Sequence, residues 1–186
     1  MGSKCFMTLS DTMSASSSMF ANSSSNSHGS TTSYQQGSME LLEWSFALEQ
    51  EGSQDGGKPR SVERVKHGEF KIKRQMDSRS PKLFYYCCSG EFVNQAQMTV
   101  FSVNSTPILT ITMTWVHVSS WEPQGGEGVP IEEVGFRFGE MQVNWNDSGL
   151  GGANYGVSLS GSISTSWSWV FETPTQLNPH LPEFTT

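Results

Sequence analysis

Cysteine and positive charge are both scarce in this sequence, and each shortage excludes a class of protein. The 186 residues include 3 Cys, and 11 Lys and Arg stand against 18 Asp and Glu, for a net charge of −7. Three cysteines cannot build the disulfide framework of a small secreted scaffold. A negative chain also argues against a nucleic-acid partner, because phosphate binding needs a positive surface. We therefore expect a protein that folds in a reducing compartment and does not bind nucleic acid.

Long apolar runs are also missing. No stretch approaches the length of a membrane span, so direct membrane insertion is not expected. The first residues, MGSKCFMTLSD, lack the long apolar segment of a secretory signal peptide. If the protein leaves the cell, we expect it to do so without a standard signal.

Catalytic and metal-binding motifs are absent as well. The four histidines, at 28, 67, 117 and 180, form no HExxH pattern, and the sequence has no CxxC pair and no GxSxG elbow. Glu132 and Glu133 are adjacent at a strand start, where alternation directs them to opposite faces of the strand. The sequence therefore predicts no catalytic residue, no metal site and no cofactor, and the protein is not expected to be an enzyme.

What is present is typical of a mainly β domain. Aromatic and β-branched residues stand among glycines and serines, which favours strands joined by turns. The length suits a single domain, placed at residues 1–173. Residues 10–38 are rich in serine and read as a flexible insertion between the first strands, and residues 174–186 read as a loose C-terminal tail.

The stretch MELLEWSFALEQE alternates with the period of a strand. The predicted apolar face consists of Leu42, Trp44, Phe46 and Leu48. The predicted polar face consists of Glu43, Ser45 and Ala47. Further strands alternate in the same way up to residue 171, and a change of phase across Gly139–Glu140 predicts a β-bulge. The polar faces carry mainly Ser, Thr and Gln, which suits a surface that lines a shared cavity or contacts neighbouring subunits.

A single short helix is predicted at about residues 80–89. Ser80 is a good N-cap, Pro81 fits the first helical position, and Gly90 suits the C-terminus. The predicted buried face consists of Leu83, Phe84, Cys87 and Cys88. The two cysteines fall in the last turn, where the helix dipole disfavours a thiolate, so packed and unreactive thiols are expected.

The run FKIKRQMDSRSPKLFYYCCSGEFVNQAQMTVF resembles the strand–helix–strand core of the hemolysin-coregulated protein (Hcp) family of type VI secretion systems. The matching parts are the strand end at Asp77, the Ser80–Pro81 helix start, the Ser89–Gly90 turn and the following Gln95–Ala96. Further motifs match in the same order, namely 42–46, 118–120 with 125–126, 138–145 and 167–171. The resemblance covers roughly residues 39–173.

This resemblance implies a compact β-barrel of two packed antiparallel sheets with one short α-helix on the side. It implies a structural subunit whose copies form hexameric rings that stack into a hollow tube. Such a tube is assembled in the bacterial cytoplasm, is expelled by sheath contraction, and carries or chaperones effector proteins. The implied partners are further copies of the chain, the contractile sheath, the tip (spike) protein, the baseplate and the effectors.

The resemblance also implies two functional surfaces. Glu43, Ser45 and Ala47 are the candidates for the lumen of the tube, with Ser45 first among them. The loop between the adjoining strands is the candidate for contact with the next ring. Its residues are Gly52, Ser53, Gln54, Asp55, Gly56, Gly57, Lys58, Pro59, Arg60, Ser61, Val62, Glu63, Arg64 and Val65.

Two other functions compete with this interpretation. A tail-tube subunit of a phage or another contractile injection particle shares the fold and the hollow-tube architecture. A secreted β-sandwich carbohydrate-binding module would use exposed tryptophans to stack on sugar rings. Its candidates would be Trp115, Trp121, Trp167 and Trp169.

Overall fold

The computed structural model describes residues 3–10, 37–49, 65–146 and 162–169. In this part of the chain there are eleven strands and one helix. The elements are β1 Lys4–Ser10, β2 Met39–Leu41, β3 Glu43–Ser45, β4 Leu48–Glu49, β5 Lys66–His67, β6 Phe70–Gln75, α1 Ser80–Ser89, β7 Phe92–Phe101, β8 Pro107–Gln124, β9 Ile131–Arg137, β10 Glu140–Asn146 and β11 Ser162–Ser168. Apart from residues 10, 37 and 38, the predicted insertion lies outside the described residues, as does the predicted tail.

Nine of these strands form one antiparallel sheet with the order β2-β1-β7-β8-β9-β6-β3, and β10 and β11 join it beside β8. Strands β4 and β5 form a separate two-stranded sheet. The prediction of a mainly β fold with one helix is confirmed. The prediction of two packed sheets closed into a barrel is wrong, because over the described residues the large sheet is single and not closed.

The length of β8 explains why the sheet is single. This strand spans 18 residues. Its first half pairs with β10 and its second half pairs with β9, along the same edge. One strand therefore belongs to both halves of the fold, and the sheet bends instead of dividing into two layers.

The bend lies at Trp115, whose φ of 55° is in the left-handed region. Buried positions change phase there, from Met113 to Val116. The neighbouring strands β9 and β10 are separated at residues 138–139, and their buried positions change phase at the same place. Glu140 pairs with Thr114, and Arg137 pairs with His117. The same number of residues lies between these two pairs on both sides, so neither side has the extra residue that defines a bulge. The change of phase at Gly139–Glu140 is therefore real, but the predicted bulge is wrong.

The predicted strand in the stretch that begins at Met39 is divided into three short strands, β2, β3 and β4. Strand β2 pairs with β1, whereas β3 pairs with β6, so this segment connects the two ends of the large sheet. Met39 and Leu41 are buried, while Leu42, Trp44 and Leu48 are exposed. The predicted apolar face is therefore wrong for those three residues, because the chain changes its pairing partner at residue 42.

The helix α1 has its predicted position but not its predicted buried face. Its N-cap is Arg79, and Ser80 is the first helical residue. Gly90 ends the helix with φ 69°, and its N–H donates to the carbonyl of Tyr86. The buried residues are Ser80, Leu83 and Tyr86. Phe84 and Cys88 are exposed and Cys87 is half-buried, because positions three apart face the sheet in so short a helix.

The hydrophobic core is formed mainly by the bent sheet, and α1 adds Leu83 and Tyr86 to it. Its side chains come from strands β1, β2 and β6 to β10 and from the helix. Methionine is frequent among the fully buried residues. Apart from Arg74, the largest fully buried side chains are those of Phe70, Phe136, Met7, Leu9 and Met39. Burial of each such side chain stabilises the fold by about 1.5–3 kcal/mol. In the described ranges, no helix has the length and apolar character needed to cross a membrane.

Candidate assembly surfaces and the helix anchor

A buried ionic network anchors the start of the helix to the sheet. Arg74 on β6 is 1% exposed and Glu132 on β9 is 0% exposed. Arg74 Nη1 lies 3.5 Å from Glu132 Oε1, and Arg74 Nη2 lies 2.6 Å from Asp77 Oδ1. Ser80 Oγ donates to Glu132 Oε1 at 2.8 Å, and Trp121 Nε1 donates to Oε2 at 2.7 Å. The buried carboxylate therefore joins α1, β6, β8 and β9.

Asp77 completes this network on its solvent side. Partial burial alone would raise the pKa of its carboxyl group. The hydrogen bond from Arg74, the backbone N–H of Arg79 and the charges of both arginines outweigh burial and lower that pKa. Asp77 was part of the recognised sequence motif, whereas the roles of Arg74 and Glu132 were missed. The sequence did contain a signal for the buried carboxylate, because strand alternation directs one of the adjacent Glu132 and Glu133 to the interior. In the structure the interior residue is Glu132.

The two arginines also hold the beginning of β2. Arg79 Nη1 donates to the carbonyl of Ser38, and Arg74 Nη1 lies 3.0 Å from Met39 Sδ. Strand β2 pairs with β1. The anchor therefore fixes the strand that connects the two ends of the large sheet.

The structure places the three lumen candidates at the edge formed by β3. Glu43 and Ser45 lie on β3, which pairs with β6, and Ala47 follows in the link to β4. All three residues are exposed. Ala47 is not in the strand, and its carbonyl accepts a hydrogen bond from the N–H of Gly68.

The surface around Ser45 is charged, in contrast to the neutral face expected from the sequence. Ser45 pairs with Lys71, and Glu43 pairs with Lys73. Lys71 Nζ donates to Glu133 Oε1 at 3.0 Å. This hydrogen bond, with the charge of Glu133, raises the pKa of the lysine. Ser45 is therefore a small hydroxyl beside a bound pair of opposite charges.

A broad uncharged surface does exist, on the other half of the sheet. We call the outward side of β1, β7, the first half of β8, β10 and β11 the neutral face. One row of paired residues crosses all five strands, and it consists of Thr8, Gln97, Thr112, Gln142 and Ser166. The next row consists of Ser10, Gln95, Thr114, Glu140 and Ser168, of which Ser10 and Ser168 are buried. Glu140 is the one ionisable residue in these two rows.

The inter-ring loop predicted at residues 52–65 lies outside the described residues except for Val65. Its base is the β4–β5 hairpin, in which Leu48 pairs with His67. The ring of His67 stacks on Phe138 with centroids 5.1 Å apart and lies 4.6 Å from the ring of Trp169. The β4–β5 hairpin therefore packs, through His67, on the aromatic side chains beside β9.

The three cysteines are free thiols. Burial raises the pKa of Cys5 to about 12. Burial, followed by the neighbouring Cys88, also raises the pKa of Cys87. Raised values leave little thiolate at neutral pH, so these two side chains are poor nucleophiles. Among the residues placed by the structure, no group of three His, Cys, Asp or Glu is arranged to hold a metal ion.

The family profile described as "Type VI secretion system effector, Hcp" matches residues 8–145. The chain belongs to the Hcp family. The match includes the anchor, α1 and the strands from β2 to β9, and it confirms the resemblance found in the sequence. No curated protein sequence matches the chain significantly.

Solved structures of two Hcp proteins and of a type VI secretion system effector share the fold. Hcp1 from Salmonella typhimurium has a TM-score of 0.68 at 20% identity, covering 94% of this chain and 99% of that one. Hcp3 from Pseudomonas aeruginosa has a TM-score of 0.59 at 15% identity, covering 90% and 98%. A type VI secretion system effector from Yersinia pestis has a TM-score of 0.58 at 18% identity, covering 88% and 98%.

Membership of the Hcp family makes the chain a tube subunit of a type VI secretion system. The family's role is structural, and its members are secreted by this system. Tube assembly and the context of a contractile secretion machine follow from the family.

Proposed function

We propose that six copies of this chain close into a ring and that the rings stack into a hollow tube that carries effectors. The observation that carries this proposal is the family match over residues 8–145. The test is negative-stain microscopy of the purified protein. Rings about 80–100 Å across, the size expected for six compact domains, support the proposal. Monomers at high protein concentration contradict it.

The neutral face supports contact between copies or with cargo. Each copy carries a net charge of −7, so copies repel one another wherever acidic surfaces meet. The rows of Ser, Thr and Gln on the neutral face avoid this repulsion. A surface of this kind also binds cargo weakly at each subunit, and six weak contacts add up through avidity.

The edge strand β11 supports contact between neighbouring subunits. It has seven residues and contains neither charge nor proline. Within the described part of the chain it pairs with β10 alone. Natural proteins usually protect such edges with charges or prolines, because an open edge is a template for pairing with another chain. We assign this edge to the ring contact.

We assign Glu43, Ser45 and Ala47 to the lumen, as the family resemblance implies. Their exposure supports this assignment. In Ser45→Gln the bulkier side chain is expected to reduce cargo retention without preventing ring formation. Co-purification of cargo with rings measures retention, and Ser78→Gln, at an exposed turn residue, is the matched control. Normal effector export by Ser45→Gln contradicts the lumen assignment.

We assign the loop of residues 52–65 to contact between successive rings. At the base of the loop, the ring of His67 packs on Phe138 and Trp169. This contact supports the role, because a fixed base holds the loop in one direction. Deletion of residues 53–60 spares the β4–β5 hairpin and is expected to leave rings but no tubes. Tubes of undiminished length in electron micrographs count against the assignment.

The remaining partners follow from the same proposal. They are the contractile sheath, the spike protein, the baseplate and the exported effectors. Assembly takes place in the bacterial cytoplasm, and export needs no signal peptide. A baseplate chain of the anti-feeding prophage matches with a TM-score of 0.47, which is too low to support the phage-like alternative. Of the four tryptophans named for the sugar-binding alternative, Trp115 and Trp167 are exposed, whereas Trp121 and Trp169 are half-buried, so the structure offers that alternative only part of its stacking surface.

A further inference from the structure

The core side of the large sheet is left uncovered at one corner. Met141 on β10 is buried and pairs with Trp167 on β11, and further along the same two strands Trp145 pairs with Ile163. Side chains alternate along a strand and paired residues share a face, so all four side chains lie on the core side, opposite the neutral face. Trp145, Ile163 and Trp167 are nevertheless 40%, 55% and 37% exposed. We call these three residues the apolar corner.

Exposure rises across the sheet toward this corner. One row of paired residues crosses from β1 to β11 and consists of Leu9, Ala96, Met113, Met141 and Trp167. In this row Trp167 alone is exposed. A second row crosses from β2 to β11 and consists of Leu41, Cys5, Val100, Leu109, Trp145 and Ile163. Its residues pass in that order from buried through half-buried to exposed. The corner is therefore the end of the hydrophobic core, left open by the residues that the structure describes.

The corner has the composition of a protein contact. Two tryptophans and an isoleucine are exposed together, with Thr165 between Ile163 and Trp167 on the same side of β11. Contiguous exposed apolar side chains mark interaction sites, and tryptophan is enriched among the residues that contribute most to binding. None of these side chains carries a charge, so the net charge of −7 does not oppose contact between copies here.

The strand beside the corner has a free edge. Within the described part of the chain β11 pairs with β10 alone, and its sequence SISTSWS contains neither charge nor proline. A strand added from a neighbouring molecule would continue the sheet at this edge. Its side chains would lie beside Ile163 and Trp167 and remove them from water. One occupant therefore satisfies both the open backbone edge and the apolar corner.

We propose that a second copy of the chain covers the apolar corner when the ring closes, and that β11 is protected from solvent only in the assembled ring. This inference rests on the proposed ring. A second copy is the partner that tube assembly brings to every subunit of the family. The rival occupants are residues 147–161 and 170–186 of the same chain, which are next to β10 and β11 in the sequence. A segment of the same chain covers the corner at any protein concentration, whereas a second copy covers it only on assembly.

Hydrogen exchange of the full-length chain, followed by mass spectrometry, separates these occupants. The exchange of the β11 amides is compared between a concentrated sample that forms rings and a dilute sample that does not. We expect these amides to exchange at least about tenfold more slowly in rings. Strand β7 is paired on both sides, with β1 and β8, and serves as the internal reference. Slow exchange of β7 in both samples shows that the dilute chain remains folded.

Two variants test the side chains of the corner. Ile163→Ser removes an exposed apolar group, so the isolated chain keeps its fold. Because the ring buries this group, its loss is expected to raise the protein concentration for half assembly by about tenfold to a hundredfold in sedimentation velocity. Val129→Ser is the matched control, since Val129 is 60% exposed in the loop between β8 and β9, and it should assemble as the wild type does. Thr165→Val keeps the shape, adds apolar surface to the corner and is expected to lower that concentration severalfold, a gain that a misfolded variant cannot produce.

The inference is overturned if wild-type rings form while β11 exchanges at the same rate in rings and in the dilute chain. That outcome assigns the corner to a segment of the same chain and leaves the ring proposal standing. Unchanged assembly of Ile163→Ser, or unchanged or weaker assembly of Thr165→Val, also refutes the inference. A wild-type chain that stays monomeric at high concentration contradicts the ring proposal and this inference together.

Discussion

Replacement of Glu132 by Gln tests the helix anchor most directly. The side chain keeps its shape but loses its charge. Trp121 Nε1 can only donate, so the remaining carbonyl oxygen of the amide has to face it. The amide NH₂ group then points toward Ser80 and Arg74, and Arg74 also has only donors to offer. The variant therefore places two donors against each other in a buried site.

The expected loss follows from burial. Removal of one partner from a buried ion pair costs about 3–5 kcal/mol, because the other charge remains buried. Arg74 retains Asp77 at 2.6 Å, which places the cost at the lower end, about 3 kcal/mol. For a chain of this length, we expect the urea midpoint to fall by about 1 M and Tm to fall by about 6–12 °C.

Urea unfolding followed by tryptophan fluorescence measures this loss. Wild type and variants are compared at equal protein concentration, because assembly stabilises the folded chain by mass action. Glu133→Gln is the matched control, since it makes the same chemical change at the next residue. Its side chain is 28% exposed and pairs with Lys71 on the surface. We expect little change in its midpoint.

The reasoning is refuted if Glu132→Gln and Glu133→Gln have the same urea midpoint. It is also refuted if Glu132→Gln is as stable as the wild type. Either result means that the anchor contributes geometry but no net stability. A shift confined to Glu132→Gln supports the anchor.

Two further predictions concern Asp77 and Gly135. Because the folded-state pKa of Asp77 is lowered, its contribution to stability is present above the unfolded value near 3.8 and is lost as the pH falls through the folded value. Thermal unfolding from pH 6 to about pH 2.5 should therefore show a smaller acid loss in Asp77→Asn than in the wild type, and equal losses contradict the assignment. In Gly135→Ala the new Cβ would lie 2.3 Å from Ser120 Oγ, whereas its second close contact, 2.9 Å from Glu69 Oε2, is with the end of a long side chain that can move away. We expect a loss of about 1–3 kcal/mol in urea unfolding, largely restored by adding Ser120→Gly, and failure of this rescue counts against a steric cause.

The sequence was sufficient to predict α1 because helix boundaries depend on nearby residues. Pro81 fits the first turn, and Gly90 adopts the left-handed conformation that ends the helix. The buried face of the helix was predicted less well. Tyr86 is buried while Phe84 and Cys88 are exposed, and this choice depends on how the helix lies across the sheet rather than on its own residues.

The strand over residues 42–48 shows where alternation fails. The pattern of Leu42, Trp44 and Leu48 is regular, yet all three side chains are exposed. Alternation assumes one continuous strand with one pairing partner. Here the chain passes from β1 to β6 at residue 42, and the buried residues are Met39 and Leu41. The sequence carries no local signal for that exchange of partners.

The candidate surfaces were predicted in kind but not in position. The abundance of Ser, Thr and Gln indicated an uncharged face, and the structure contains one across β1, β7, β8, β10 and β11. Ser45 lies elsewhere, beside Lys71 and Glu133. The residues that share a row of the sheet come from distant parts of the chain. Composition alone therefore could not show whether Ser45 lies on the uncharged face or beside charged residues.

By itself, the sequence determined the β-rich class, the helix with its C-terminal stop, and the family, because each depends on residue type or on short-range order. Only the tertiary structure decided that Arg74 and Glu132 form a buried pair and that residues from five strands share the neutral face. Ion pairs depend on side chains brought together across strands, and Arg74 and Glu132 are 58 positions apart in the sequence. Strand pairing and sheet bending set those distances, and no local pattern in the sequence records them.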